Sequence, residues 1–361
     1  MKEAIVLSKR QLPATVDELA DFVIVGNEAI QGFKAKLRAC TKSERAHQAR
    51  KQALNDGRKI SRLVIDAEIR LGELLEQIPR NIESSGRGTI VTHKSLPIGI
   101  NKKESFIAQT IARNPDVVEE VFQEKSDDIP TRHDILKKIN HKKHQQEIQK
   151  KSNEGKTIEI RDKSIDLRLG DFRKTLKDVP DGSIDLILTD PPYPKEYLGL
   201  YKDLSELASR KLKPNGFCIT YAGHIHLPIV MQNLGAHLNY YWTCVLLHSG
   251  QTLNVVSRNM IAGWKPILIY QKGFKKLSEP FQDVIQGTGR EKEDHDWEQA
   301  IDELSSIIIH FSQPGDIILD PMAGSGTTLL ACKELGRRSI GVEIDEQTYN
   351  ILKKRLRDNG L

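Results

Sequence analysis

Cysteine is scarce in this chain of 361 residues: Cys40, Cys218, Cys244 and Cys332 stand far apart, with no CxxC pair among them. That spacing speaks against a zinc ribbon and a disulfide framework and leaves the four thiols as small apolar side chains. Long apolar runs are missing too. No stretch approaches the roughly 18 apolar residues of a membrane-spanning helix, and the opening "MKEAIVLSKRQLPATVDE" lacks the extended apolar centre of a secretory signal, so a cytoplasmic location is expected. Aromatic residues are few at 6%, yet 38% hydrophobic residues suffice for packed cores, and the length suits two domains.

Excess charge of one sign is also modest, at +5. It permits a polyanionic partner without requiring one. Its placement says more: from Arg132 to Lys156 eight Lys or Arg stand against three acids, with almost no large apolar residue after Ile148. This reads as a basic helix running into a linker, with a solvated face and a phosphate-contacting face both open.

What is present before that segment is helical in pattern. Ile60, Val64, Ala67, Leu71, Leu74 and Ile78 alternate spacings of four and three and form one stripe, closed by Pro79. The stripe is expected to pack on a helix near Val16 to Leu37, with a dimer seam as the other option. Asn81 to Ser105, rich in Gly and Ser, reads as a loop. "KKESFIAQTIARNP" follows as a short helix with Phe106, Ile107 and Ile111 inward. Asn114 is placed to cap a second helix with Pro115 at its first position, and Thr131 with Asp134 resembles a capping box opening a third. Short helices in series fit either a helix-turn-helix unit or a plain bundle.

From about Lys156 apolar strands alternate with helices, the texture of an α/β fold with a largely parallel sheet. The domains are therefore set at 1–155 and 156–361. The strand candidates are "IDLRLG", "IDLILT", "GFCITYA", "YWTCVLL", "WKPILIYQ", "DIILD" and "RSIGVEI".

In "GDIILDPMAGSGTTLLACKELGRRSIGVEID" a buried strand ends at Asp320, a loop holds Gly324 and Gly326, a helix starts near Thr327, and a further strand ends at Glu343. Glycines let the backbone approach a ligand, the helix N-terminus aims free amides into the crevice, and a strand-end acid suits a ribose diol. No Lys follows Gly326, as a phosphate-binding P-loop would need, and Leu329 fills the third small position of a dinucleotide fingerprint. S-adenosylmethionine, with a ribose and an amino-acid end but no phosphate, is the expected ligand, and Asp320 suits its ammonium. No metal is called for.

In "ILTDPPYPKEY", Pro191 and Pro192 end a strand whose last step delivers Asp190 to the same sheet edge. An exocyclic adenine amine is a poor nucleophile. A carboxylate and a fixed carbonyl that accept its N–H hydrogens favour tetrahedral nitrogen. Asp190 supplies the first, Pro191 the second, and Tyr193 offers a face for a base that has left the duplex.

These residues closely resemble the amino-methylating DNA methyltransferases. "DPPY" at Asp190 to Tyr193 looks like their catalytic tetrapeptide, and "DPMAGSGTT" at Asp320 to Thr328 like their S-adenosylmethionine loop. The order, with the catalytic motif first, is similar to the circularly permuted β group, phage-type. The resemblance covers about residues 160 to 358. It implies a Rossmann-like methyltransferase domain preceded by an all-α region, and N6-adenine specificity because Asp opens the tetrapeptide. It also implies cofactor contacts from Asp171, Asp320, Pro321, Met322, Ala323, Gly324, Ser325, Gly326, Thr327 and Glu343. Met322 stands where Phe is commoner, and "HDWEQ" at His295 to Gln299 replaces the usual His-Pro-Thr-Gln-Lys-Pro.

Arg258, Asn259, Trp264 and Lys265 fall in a target-recognition region of about 245–300, where Trp264 is expected to be core. DNA is the implied partner, with a homodimer and a cognate restriction endonuclease left open. N4-cytosine DNA, RNA or protein methylation, and a DNA-binding regulator with a non-catalytic cofactor-sensing domain, are the competing functions.

Overall fold

The structure, a computed structural model, describes residues 12–40, 46–77, 80–85, 88–93, 100–247, 253–287 and 298–361. Ile78, Pro79 and His295 to Trp297 of the sequence motifs lie outside them. The chain divides into two compact units, Met1–Gln146 and Glu147–Leu361.

In the first unit, α1 (Val16–Cys40) and α2 (His47–Glu76) share one core. Leu19, Val23, Ile30 and Leu37 of α1 meet Val64, Ala67 and Leu71 of α2, so the heptad-like stripe packs within the chain. Two expectations fail next. The presumed loop contains β1 (Arg80–Ser85) and β2 (Gly88–His93), an antiparallel pair, so the N-terminal region is not all-α. The β-branched run in "GTIVTH" outweighs the surrounding Gly and Ser. In α3 (Lys102–Ala112), Ile111 is fully buried but Phe106 is 67% exposed, because the inward stripe runs through Ser105, Ala108 and Ile111.

α4 (Pro115–Glu124) begins with Pro115 as expected, but Asn114 makes no capping bond; its side-chain amide donates to Thr110 O at 2.7 Å. Thr131 and Asp134 do form reciprocal bonds at the start of α5 (Arg132–Lys156). The expected linker is a continuation of this helix. Lys138 and Lys142 pair with Glu120 and Glu124 of α4, which withdraws part of the basic run from other partners.

The second unit opens with the end of α5 and proceeds through β3 (Ile165–Leu169), α6 (Phe172–Thr175), β4 (Ile184–Thr189), α7 (Leu198–Lys211), β5 (Leu212–Tyr221), α8 (Leu227–Leu234) and β6 (Asn239–Leu247). A small hairpin, β7 (Leu253–Val255) and β8 (Met260–Ala262), precedes β9 (Trp264–Gln271) and β10 (Val284–Gln286). Then come α9 (Glu298–Phe311), β11 (Ile317–Asp320), α10 (Thr327–Glu334), β12 (Arg338–Glu343) and α11 (Glu346–Asp358). All seven expected strands are present. Among the described residues they form, with β10, an eight-stranded sheet in the order β10-β6-β9-β5-β4-β11-β12-β3. Only β9 runs against its neighbours.

The continuous apolar run of β4 is explained by burial on both faces. Leu186 and Leu188 enter the core under α9, α10 and α11, whereas Ile187 enters the other, under α7 and α8. Because β4 and β11 are parallel neighbours, with Leu186 opposite Ile318 and Ile187 opposite Leu319, their C-terminal ends open on the same edge.

Candidate active site

Two strand ends far apart in sequence meet at this edge. Thr189, the last residue of β4, is buried and donates its hydroxyl to Asp320 Oδ1 at 2.7 Å across 131 residues of sequence. Asp190, one step on, emerges at the surface. Asp320 is 4% exposed, and burial pushes its carboxyl up to about 6, against the hydrogen bonds from Thr189, Thr328 and the Met322 amide.

The turn after Asp320 is built for close backbone approach. Gly324 and Gly326 have φ of 51° and 82°, and a Cβ on Gly326 would lie 2.9 Å from Leu352 Cγ of α11. Glu343, at the end of β12, ties this turn down: its Oε2 accepts the Gly324 amide at 2.9 Å and its Oε1 the Asp345 amide at 2.8 Å. Under the turn lies Arg355 of α11, which donates from one nitrogen to Ser325 O at 2.8 Å and to the Ser325 and Thr327 hydroxyls at 3.0 Å. Burial lowers its pKa to about 10, so it remains a cation at neutral pH.

Between the two strand ends is a cavity of about 300 Å³. Asp190, Asp320, Met322, Ala323, Gly324, Ser325 and Thr327 line it, so half of the expected site residues share one space. Pro191, Pro192, Tyr193, Pro321, Gly326, Glu343 and Asp171 are not part of its lining. Asp171 caps α6, accepting the Arg173 amide at 3.0 Å, and pairs with the Arg173 guanidinium, which holds its carboxyl below the usual range.

At the mouth, the two oxygens of Asp190 are held by different partners. Oδ1 accepts the Tyr193 hydroxyl, and Oδ2 accepts Lys265 Nζ at 2.8 Å. The Lys265 ammonium also stands 5.0 Å from the Tyr193 ring centre and 4.5 Å from that of Tyr221. Burial and the nearby Asp190 charge raise the Tyr193 phenol, so it stays a donor. Gly223 brings bare backbone against Tyr193, where a Cβ would be 3.2 Å from Tyr193 Cβ. Trp264 is half-buried and packs edge-on against His224 at 4.6 Å, so it is not a full core residue.

Sequence reading quoted Thr189 and Thr328 within the two motifs without giving them a role, missed Arg355 and Glu303, which also lines the cavity, and named Lys265 only for target recognition. For Thr189 and Thr328 adjacency to the two motifs was a usable signal. For Arg355 and Glu303, on helices away from those motifs, none was present.

Residues 184–354 match the model of a family described as DNA methylase. The type II methyltransferase M.HpaI of Haemophilus parainfluenzae is 26% identical over 228 residues, which cover 51% of this chain and 71% of that protein. The type II methyltransferase M.BglII of Bacillus subtilis is 27% identical over 237 residues, 50% of this chain and 66% of that protein. A crystal structure of an M1.HpyAVI-SAM complex aligns with a TM-score of 0.44 at 25% identity, over 53% of this chain and 98% of that one. The family match begins with β4 and runs through most of α11, so it spans both strand ends and the cavity between them.

Proposed function

We propose that this protein is a DNA methyltransferase that transfers a methyl group from S-adenosylmethionine to the exocyclic N6 of a flipped adenine. The observation that carries the reading is the joining of Asp190 and the glycine turn across one cavity by the Thr189–Asp320 bond. The donor supplies an electrophilic methyl on its sulfonium when bound. The cavity volume and lining suit it: backbone that can be approached closely at Gly324, the hydroxyls of Ser325 and Thr327 at a helix start, and carboxylates for an ammonium. Glu343 acts by shaping the turn, and retains lone pairs for a ribose hydroxyl.

At the mouth, Asp190 accepts one amine hydrogen. A carboxylate has about four acceptor sites, so it can do this while Tyr193 and Lys265 hold it in place. The Pro191 carbonyl accepts the second hydrogen, and Tyr193 bounds the space for the base. Rate is gained by orienting the nitrogen lone pair along the line of displacement, with no covalent enzyme intermediate. The Asp-led tetrapeptide supports adenine over cytosine. The helical first unit is assigned a DNA-contacting role, supported by exposed Lys143 of α5, which makes no ion pair among the described residues.

The test is methyl transfer from labelled donor to duplex DNA, RNA and protein, followed by hydrolysis and separation of the bases. Label in N6-methyladenine from duplex DNA is expected. Label in N4-methylcytosine, or in RNA with DNA unlabelled, would overturn the assignment. Asp190→Ala should abolish transfer and keep donor binding; a wild-type protein that binds donor but transfers nothing would favour a sensing role instead.

A further inference from the structure

Three carboxylates line the cavity: Asp190, Asp320 and Glu303. The first two belong to the strand-end motifs. Asp190 is engaged by Lys265 and Tyr193, and Asp320 is sunk beneath the turn, with Thr189 and the Met322 amide on Oδ1. Glu303 comes from a third element, α9, and belongs to neither motif.

The fold makes room for it. Gly287, just after β10, faces Glu303: a Cβ there would come within 3.3 Å of Glu303 Oε1 and 2.4 Å of Leu247 O. Burial, with the Asp190 and Glu303 charges beside it, raises the phenol of Tyr221, another cavity residue, and keeps it protonated. A different part of the lining has the opposite character. There the Ser325 and Thr327 hydroxyls are backed by the Arg355 guanidinium at 3.0 Å.

The donor's amino-acid end is a zwitterion, an ammonium and a carboxylate on one carbon. A cavity with an acid at one place and hydroxyls backed by a cation at another matches it in both signs. Resting on the donor reading above, we propose that Glu303 binds the α-ammonium of the cofactor, while Ser325 and Thr327, supported by Arg355, take its carboxylate. Asp320 then acts mainly by joining β4 to β11 through Thr189.

The test is binding, not turnover. Calorimetric titration of wild type, Glu303→Gln and Glu303→Asp with S-adenosylmethionine, S-adenosylhomocysteine and methylthioadenosine separates the parts of the ligand. The first two carry the ammonium; the third lacks the whole amino-acid end. Loss of one charge-assisted hydrogen bond should weaken both ammonium-bearing ligands about tenfold or more in Glu303→Gln, with partial rescue in Glu303→Asp and methylthioadenosine unchanged.

Four results would overturn the proposal. Unaltered S-adenosylhomocysteine binding in Glu303→Gln would remove Glu303 from the ammonium, and an equal loss of methylthioadenosine would assign it a structural role. A loss confined to S-adenosylmethionine would mean that it senses the sulfonium. If wild type bound none of the three ligands, the donor reading itself would fall, and this proposal with it.

Discussion

Lys265 Nζ lies 2.8 Å from Asp190 Oδ2, while the Tyr193 hydroxyl holds the other oxygen, so a half-exposed carboxylate is fixed from two sides. An unrestrained Asp at 50% exposure would sample several rotamers, and few would face an incoming amine. Lys265→Met is therefore expected to lower kcat about tenfold to a hundredfold, with donor affinity within about twofold of wild type. Stability should change by under about 1 kcal/mol, as for an exposed ion pair. Single-turnover kinetics with donor titration check this. A faster variant would mean that Lys265 obstructs Asp190.

Asp320 gives a pH dependence with a definite sign. Its carboxyl is raised by burial from an ordinary 3.8 to about 6, so between those values the folded chain keeps a proton that the unfolded chain has released. The favourable contribution is complete below about pH 4 and is lost as pH rises through about 6. At neutral pH the buried charge thus costs about 3 kcal/mol net of its hydrogen bonds. Asp320→Asn should melt higher than wild type by a margin that widens from pH 5 to pH 7.5. A constant margin across that range would contradict the assignment.

The strand-end motifs were legible because each is local: a buried apolar run, then an acid, then residues that break the strand. Asp190, Asp320, Gly324 and Glu343 declare themselves within a few positions of their own strands. Lys265 does not, since its contact with Asp190 crosses 75 residues, and neither does Arg355, whose bonds to Ser325 and Thr327 link α11 to the start of α10. Their side chains are as common on solvated surfaces as in sites, so only the sheet order reveals them. Phe106 shows the opposite error. Its type pointed inward, but the stripe of α3 through Ala108 and Ile111 left it outside.

Arg355 joins α11 to the cofactor turn through one nitrogen and three acceptors. Arg355→Leu removes the bonds that hold Ser325 and Thr327 and leaves the Ser325 carbonyl without this donor. Donor affinity is expected to fall about tenfold or more, and stability by about 1–3 kcal/mol. Equilibrium urea unfolding and donor titration read the two effects separately. A destabilised variant with unchanged donor affinity would confine Arg355 to a packing role.

The end of α5, expected to be a linker, approaches α11 backbone to backbone. A Cβ at Gly155 would lie 1.8 Å from Asn350 O and 2.6 Å from Asn350 C, and Ser152, one turn earlier, is 2% exposed. Lys354 of α11 reaches Glu154 at 3.2 Å beside this contact. In a free helix Gly155→Ala would be stabilising by about 1 kcal/mol through backbone entropy. Here the added methyl meets main chain rather than the tip of a movable side chain, so the two helices must separate or the end of α5 must unwind. The expected change is a loss of about 2–4 kcal/mol, with the sign set by the clash and not by propensity. Urea unfolding of wild type and variant decides between them: a gain in stability would mean that the last turn of α5 stands free of α11.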